Sequence, residues 1–456
     1  FQPYFAMKND IYTRLWEDYG VDSLHAYGDY DEASMFSYAA GLVVESYYNH
    51  VLKGQCEHVV YQAHEWMTGL GALYIQKHVP EVATIFTTHA TTIGRSIAGN
   101  HKPLYEYLFA YNGNQMAQEL NVQSKHSIER ETAHHVDCFT TVSEVTNREC
   151  AELLDKPADV VLMNGFEKDF VPSKALFARK RREARRKLRE VAGALLGTEF
   201  DDDVMIISTS GRYEFRNKGI DLYMEAMNRS LRNKDLTRKI LAFVQVPGWV
   251  CCPREDLKER LDSGKACDTP LQWPLLTHWL HEMSHDQVID YMKRYNMWNQ
   301  PEDKVKVIFV PCYLDGADGI FNMHYYDLLI GMDLTVYASY YEPWGYTPLE
   351  SVAFHVPCVT TNLSGFGLWV NQLLGKEGEL ADGVQVVRRT DYNSSEVADA
   401  IKDAITAYSA FTPHEVENIR HKAADISEHA LWKHFIQYYY QAYDFALHKA
   451  KQRRGR

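Results

Sequence analysis

No stretch of this 456-residue chain approaches the roughly 18–20 consecutive apolar residues that a membrane-spanning helix needs. No secretory leader pattern opens it either. The chain starts at Phe1 rather than Met and is globular in character at once, so a natural N-terminus upstream is expected. Paired cysteines are also missing. The eight cysteines stand at 56, 138, 150, 251, 252, 267, 312 and 358, with no C-x-x-C pair and no His-containing metal spacing. Reduced thiols in a cytoplasmic protein are expected, not a disulfide framework. An excess of positive charge is absent: 48 Lys and Arg against 61 Asp and Glu leave −13. That balance argues against a nucleic-acid partner and against an anionic membrane surface. Short internal repeats are absent too.

What is present is length, aromatic residues and alternation. The chain is long enough for two large domains with ample core. Short apolar runs read as strands: 58–62, 82–87, 138–142 and 159–162, then 204–209, 239–246, 305–310, 334–339 and 358–361. Helical patterns separate them, which indicates parallel sheets in an α/β fold. Ser143 is placed to cap the helix 144–154. Residues 197–203 read as a linker between two successive α/β halves. Residues 177–191, FARKRREARRKLREV, form a basic helix, read as a solvated surface helix because the chain as a whole is acidic. A long aromatic-striped helix is expected over 427–448, packing back onto the domains.

The most informative stretch is 337–369, YASYYEPWGYTPLESVAFHVPCVTTNLSGFGLW. A strand breaks at Glu342-Pro343-Trp344-Gly345 and restarts as a helix. Thr347, Pro348 and Glu350 have the pattern of an N-cap, a first-turn proline and a capping-box acid. Two carboxylates, Glu342 and Glu350, thus stand eight apart at a helix start that can hold an anion. An acidic pair could serve glycoside hydrolysis; beside an anion-binding helix start it suits a phosphate-leaving donor better. The loop Arg212–Gly219, RYEFRNKG, follows a buried strand and precedes a helix. Its cations, Arg212 and Lys218 above all, can clamp a diphosphate. His89 lies in a short loop after a strand, with Arg95 following and His64-Glu65 on the neighbouring loop, a clustering that points to a polar site.

These residues carry a resemblance. FTTHATTIGR (86–95), CFTTVSEVT (138–146), GRYEFRNKG (211–219) and SYYEPWGYTPLE…TTNLSGFG (339–367) resemble the glycogen synthases of the animal, fungal and bacterial type. Those are retaining glucosyltransferases of the GT-B fold, with two Rossmann-like α/β domains facing across a cleft. The resemblance runs from HEWMTG (64–69) to LWKHF (431–435); the E-x7-E pair alone is shared more widely. It implies an N-terminal domain over 1–197, incomplete at its start, a nucleotide-sugar-binding domain over 204–426, and a C-terminal helix and tail over 427–456. It implies Glu342 beside the transferred glucose, Glu350 on the nucleotide ribose, and Arg212 and Lys218 on the diphosphate. His89 and Arg95 would contact glucose and phosphate, with Glu65 near them. Tyr313 and Tyr325 would lie against the uracil, and the main chain at Tyr346 and Thr347 would complete the phosphate site. Asn164, in the turn Met163-Asn164-Gly165, is counted with the substrate-binding residues. No metal and no cofactor are expected beyond UDP-glucose as donor substrate.

The implied reaction moves glucose from UDP-glucose to the non-reducing 4-OH of an α-1,4-glucan, with glycogen as partner, and is compatible with a homo-oligomer. Departures from the family pattern are the missing Lys-x-Gly-Gly loop, which places two or more strands outside this sequence, and the missing arginine-rich regulatory helix. Residues 413–427 hold Arg420 and Lys422 and little more, so no glucose-6-phosphate activation is expected. Two alternatives stay open: a GT-B enzyme with another donor or acceptor, and a non-catalytic glucan- or nucleotide-binding relative.

Overall fold

The computed structural model describes residues 2–265 and 267–455. They divide into two compact units, 1–166 with 432–456, and 167–431. Among the described residues no helix is long and apolar enough to cross a membrane.

The first unit is built on a four-stranded parallel sheet in the order β1 (Val60–His64), β2 (Ala83–Thr88), β3 (Cys138–Thr141), β4 (Val160–Val161). Its central strands are wholly buried, as a parallel sheet covered on both faces requires. On one face Phe86 and Phe139 pack with Ala72, Ala133 and Cys150. On the other, Ile85 and Cys138 meet Tyr439, Ala442, Ala446 and Ala450 of the helix Trp432–Arg454. A stripe of alanines lets that helix lie close to the strands. Arg453 anchors its end by donating to Asp137, with Nη2–Oδ2 at 2.8 Å. The helix expected over 427–448 is in fact two, Pro413–His429 and Trp432–Arg454. The break is tertiary in origin: the Trp432 N–H donates to the Phe166 carbonyl rather than up its own helix.

The second unit carries a six-stranded parallel sheet in the order β12-β11-β10-β5-β6-β9. Its strands are β5 (Met205–Ser210), β6 (Ile240–Gln245), β9 (Val305–Val310), β10 (Leu334–Val336), β11 (Cys358–Thr361) and β12 (Val384–Val387). Two further strands, β7 (Val250–Pro253) and β8 (His278–Leu280), pair antiparallel. Alternation sends Met205, Ile207, Ile240, Ala242 and Val244 to one face of the sheet. Ile206, Leu241, Phe243 and Ile308 go to the other. Each such buried side chain contributes about 1.5–3 kcal/mol.

The basic helix spans Lys174–Leu196 and is not simply a solvated one. It buries Ala184, Leu188, Val191, Ala192, Leu195 and Leu196 against the second sheet. That packing puts residues 167–197 with the second unit, not with the first as a boundary at 197 would have it. Two of its cations turn inward: Arg181 and Arg185 both donate to Asp333, at 2.7 and 2.8 Å. Asp333 also accepts the Ile206 N–H, and Arg420 bonds the neighbouring Met332 carbonyl.

Candidate functional site

The candidate residues fall into two groups, one in each unit. In the second unit, the pairing of β5 with β10 sets Ile207 opposite Leu334 and Ser208 opposite Thr335, so the loops that leave both carboxyl ends are neighbours. Ligands of open parallel sheets bind at such ends. The loop after β5 is pinned to the loop after β10 because the Tyr340 and Tyr341 N–H groups both donate to the Asn217 carbonyl, at 2.9 and 3.1 Å. Gly219 takes φ 70° at the start of the helix Ile220–Ser230, and a Cβ there would overlap the Ala338 carbonyl oxygen. Only glycine satisfies both demands. We therefore expect Gly219→Ala to cost about 1–3 kcal/mol and to lower the thermal midpoint of the second unit, measured by calorimetry.

This closeness brings Lys218 and Glu342 together. Lys218 Nζ lies 2.7 Å from Glu342 Oε2, and both side chains are only 13% exposed. Ser339 Oγ donates to the same oxygen at 3.3 Å. A cation and a carboxylate, largely withdrawn from water, thus share one spot at the carboxyl edge of the sheet. Arg212 does not join them: its guanidinium is exposed and bonds Glu214 at 3.2 Å.

The helix after Glu342 begins two residues earlier than its sequence pattern indicates. It spans Tyr346–Ala353, is preceded by Gly345 at φ 114°, and has no side-chain cap. The capping box expected of Thr347 and Glu350 does not form, because Glu350 Oε1 accepts a 2.8 Å bond from the Tyr326 hydroxyl instead. Burial raises the Glu350 carboxyl above its ordinary range and the Tyr326 bond opposes that. The first-turn N–H groups are therefore left uncapped by side chains, as an anion site requires. Tyr346 is exposed on that first turn and Thr347 half-buried. Tyr313, after β9, is 76% exposed. Tyr325 instead turns its hydroxyl to Ser210 Oγ at 2.7 Å. Ser339, Tyr326 and Asn217 are hydrogen-bond partners of the candidate elements that sequence reasoning missed; only the Tyr325-Tyr326 doublet offered a signal.

In the first unit, the loop after β2 is held by buried carboxylates. Glu65 Oε1 accepts the His89 N–H at 3.0 Å. Glu129 accepts from the Thr88 hydroxyl and the Thr92 N–H, each at 2.8 Å, and Glu149 accepts from the Thr91 hydroxyl at 2.8 Å. Glu65 itself sits at φ 64°, ψ 161°, a region that ordinary residues avoid at a cost of about 1–3 kcal/mol. His64 Nδ1 and His89 Nε2 are 3.0 Å apart. Burial, then His64, pulls the His89 imidazole down to about 4, so the pair is neutral at pH 7. Arg95 is exposed on the helix Thr92–Gly99; burial raises the Glu65 carboxyl, and the His89 N–H and the Arg95 charge only partly oppose it. Asn164 is buried in the turn after β4, two strands away from β2. Glu129 and Glu149 gave no sequence signal beyond lying in charged helices.

Burial and the nearby Glu65 raise the Glu129 carboxyl from 4.5 to about 8. A raised carboxyl makes the folded state bind a proton that the unfolded chain has released. Stability from this group is therefore present below about pH 4.5 and declines as pH rises toward 8. We expect Glu129→Gln to flatten that decline, read from urea midpoints between pH 5 and 8.

The paired parallel α/β sheets, and the carboxylate, lysine and uncapped helix start at a sheet edge, are those of a glycosyltransferase of the GT-B fold. Solved structures bear this out for the fold. The catalytic domain of starch synthase IV from Arabidopsis thaliana, bound to ADP and acarbose, matches with a TM-score of 0.54 at 13% identity, over 92% of this chain and 78% of that one. An α,α-trehalose 6-phosphate synthase from Burkholderia multivorans matches at 0.55 and 10% identity, over 98% of this chain and 83% of that one. The family model for glycogen synthase matches residues 4–252 and 255–454, and the chain belongs to that family. It is similar to the glycogen [starch] synthase of Neurospora crassa, at 26% identity over 98% of this chain and 70% of that protein. The liver glycogen [starch] synthase of Rattus norvegicus is 26% identical over 96% of this chain and 69% of that protein.

Proposed function

We propose that the chain transfers glucose from UDP-glucose to the non-reducing 4-OH of an α-1,4-glucan, with retention at the anomeric carbon. The observation that carries this is the Lys218–Glu342 pair, largely withdrawn from water, at the carboxyl edge of the second sheet. A lysine so placed neutralises the diphosphate as it leaves, and acts more strongly there than in water. The uncapped N–H groups at Tyr346 and Thr347 add to that charge stabilisation. Glu342 hydrogen-bonds the transferred sugar, and Glu350, oriented by Tyr326, takes the ribose hydroxyls. Tyr313 offers its exposed face to the base; Arg212 is free to swing from Glu214 onto phosphate. In the first unit His89 and Arg95 serve glucose and phosphate, with Glu65 positioning the His89 main chain. Same-face attack, in which the departing phosphate helps to deprotonate the acceptor, fits a Glu342 already engaged by Lys218 and Ser339 better than in-line attack by that carboxylate.

The test is incorporation of labelled glucose from UDP-glucose into glycogen, with ADP-glucose as competitor. Wild type is expected to incorporate label and Glu342→Gln to lose most of it, while ADP-glucose competes poorly. Undiminished incorporation by the variant would remove Glu342 from the mechanism, and preference for ADP-glucose would replace the donor.

A further inference from the structure

In the second unit the strand β7 carries two adjacent cysteines, Cys251 and Cys252, both exposed. Neighbouring residues on a regular strand point to opposite faces. Here the register slips: Val250 faces Leu280 and Cys252 faces Trp279, so that Cys251 is an extra residue in a β-bulge. A bulge breaks the alternation. Both cysteines accordingly remain open to solvent, neither being turned into the protein. Among the described residues Cys138, Cys150, Cys312 and Cys358 are buried, Cys56 is exposed and Cys267 half-buried.

We propose that Cys251 and Cys252 form a two-thiol chelate for a soft, thiophilic metal or metalloid centre, for which trivalent organoarsenic is the sharpest probe. Geometry favours chelation over a disulfide. Adjacent Cα atoms are about 3.8 Å apart, below the roughly 4.4 Å at which unstrained disulfides begin. A larger bridging atom relieves that constraint, since the sulfurs need not meet. Burial, the Cys251 thiol and the Glu255 carboxylate hold the Cys252 thiol above its ordinary range. A protonated thiol reacts slowly with peroxide, whereas an arsenic(III) oxide condenses with thiols directly. Each S–H proton passes to the oxide oxygen, two As–S bonds replace the As–O bonds, and the oxide leaves as water. Arsenic stays trivalent and no oxidant is consumed. The site is independent of the donor chemistry proposed above.

The experiment treats the reduced full chain with phenylarsine oxide in excess 2-mercaptoethanol and reads intact mass, then maps which cysteines escape alkylation. One adduct per chain is expected, with Cys251 and Cys252 protected together, and release by ethanedithiol. Cys251→Ser and Cys252→Ser should each weaken retention by about a hundredfold or more, because the second bond is no longer intramolecular. Cys56→Ser and Cys267→Ser should leave it unchanged. Circular dichroism checks that the variants fold, and the protection map on wild type stands without them. No adduct on wild type, stripping by the monothiol, protection of any other cysteine, or retention by Cys251→Ser would each overturn the proposal.

Discussion

Lys218→Met should lower kcat/KM for glucose transfer by about 10²–10³-fold, the loss seen when one preorganised donor is removed from a developing negative charge. The lysine's ammonium lies 2.7 Å from Glu342, and neither group is well exposed. With donor, the same ammonium serves the leaving diphosphate, so the pair separates as charge builds on phosphate. Methionine keeps the stem packed and removes only the charge. The loss should fall mainly on kcat, since the charge matters most in the transition state. A change confined to KM, measured in initial rates of labelled glucose incorporation, would mean that Lys218 merely binds ground-state donor. Lys218→Arg should not restore the rate, because the planar fork does not reproduce a point charge beside Glu342.

Asp333→Ala should destabilise the second unit by about 3–5 kcal/mol, the cost of removing one member of a buried charge cluster. Asp333 is 4% exposed and answers two guanidinium groups, Arg181 and Arg185. Arg420 lies half-buried beside them, and desolvation followed by Arg181 pushes its guanidinium down to about 9. Without the carboxylate, three arginines would crowd one another in the interior. The pH dependence has a definite sign. Burial raises the Asp333 carboxyl, but Arg185 and Arg181 outweigh it and hold the group near 2 rather than 3.8. A depressed carboxyl contributes stability above its unfolded value and loses it as pH falls through the folded one. That contribution, about 2 kcal/mol, should disappear between about pH 4 and pH 2 in wild type and be missing in Asp333→Ala. Urea titrations across that range measure both effects. An acid limb unchanged in the variant would sink the assignment.

Features governed by neighbours in sequence were legible before the structure. Ser143 caps its helix as read, its hydroxyl accepting the Thr146 N–H at 3.2 Å, because the donor is three residues away. The strands β5, β6 and β9 fell within a residue of their apolar runs, since burial on both faces leaves little else in those runs. The residue types of the candidate site were legible too, as a lysine-bearing loop and an E-x7-E corner. What was not legible is set by distant partners. Glu350 leaves its capping pattern for Tyr326, 24 positions away. Lys218 finds Glu342 across 124 positions, through strand register that no local pattern encodes. Glu129 and Glu149 act through hydroxyls and N–H groups of a loop on another element, and in sequence they look like any helix carboxylate. The basic helix misled for the same reason: its partner Asp333 follows 148 residues after Arg185.

The helix Trp432–Arg454 closes one face of the first sheet although the whole second unit intervenes in the chain. During synthesis the second unit is a continuous segment and emerges complete before that helix does. The strands β1 to β4 must therefore wait, with Ile85 and Cys138 uncovered, until residues 432–454 leave the ribosome. Folding of the first unit is in this sense a closing step of high contact order, slow compared with the local packing that precedes it. A chain cut short near its end would keep the second sheet intact and expose a sticky apolar face on the first.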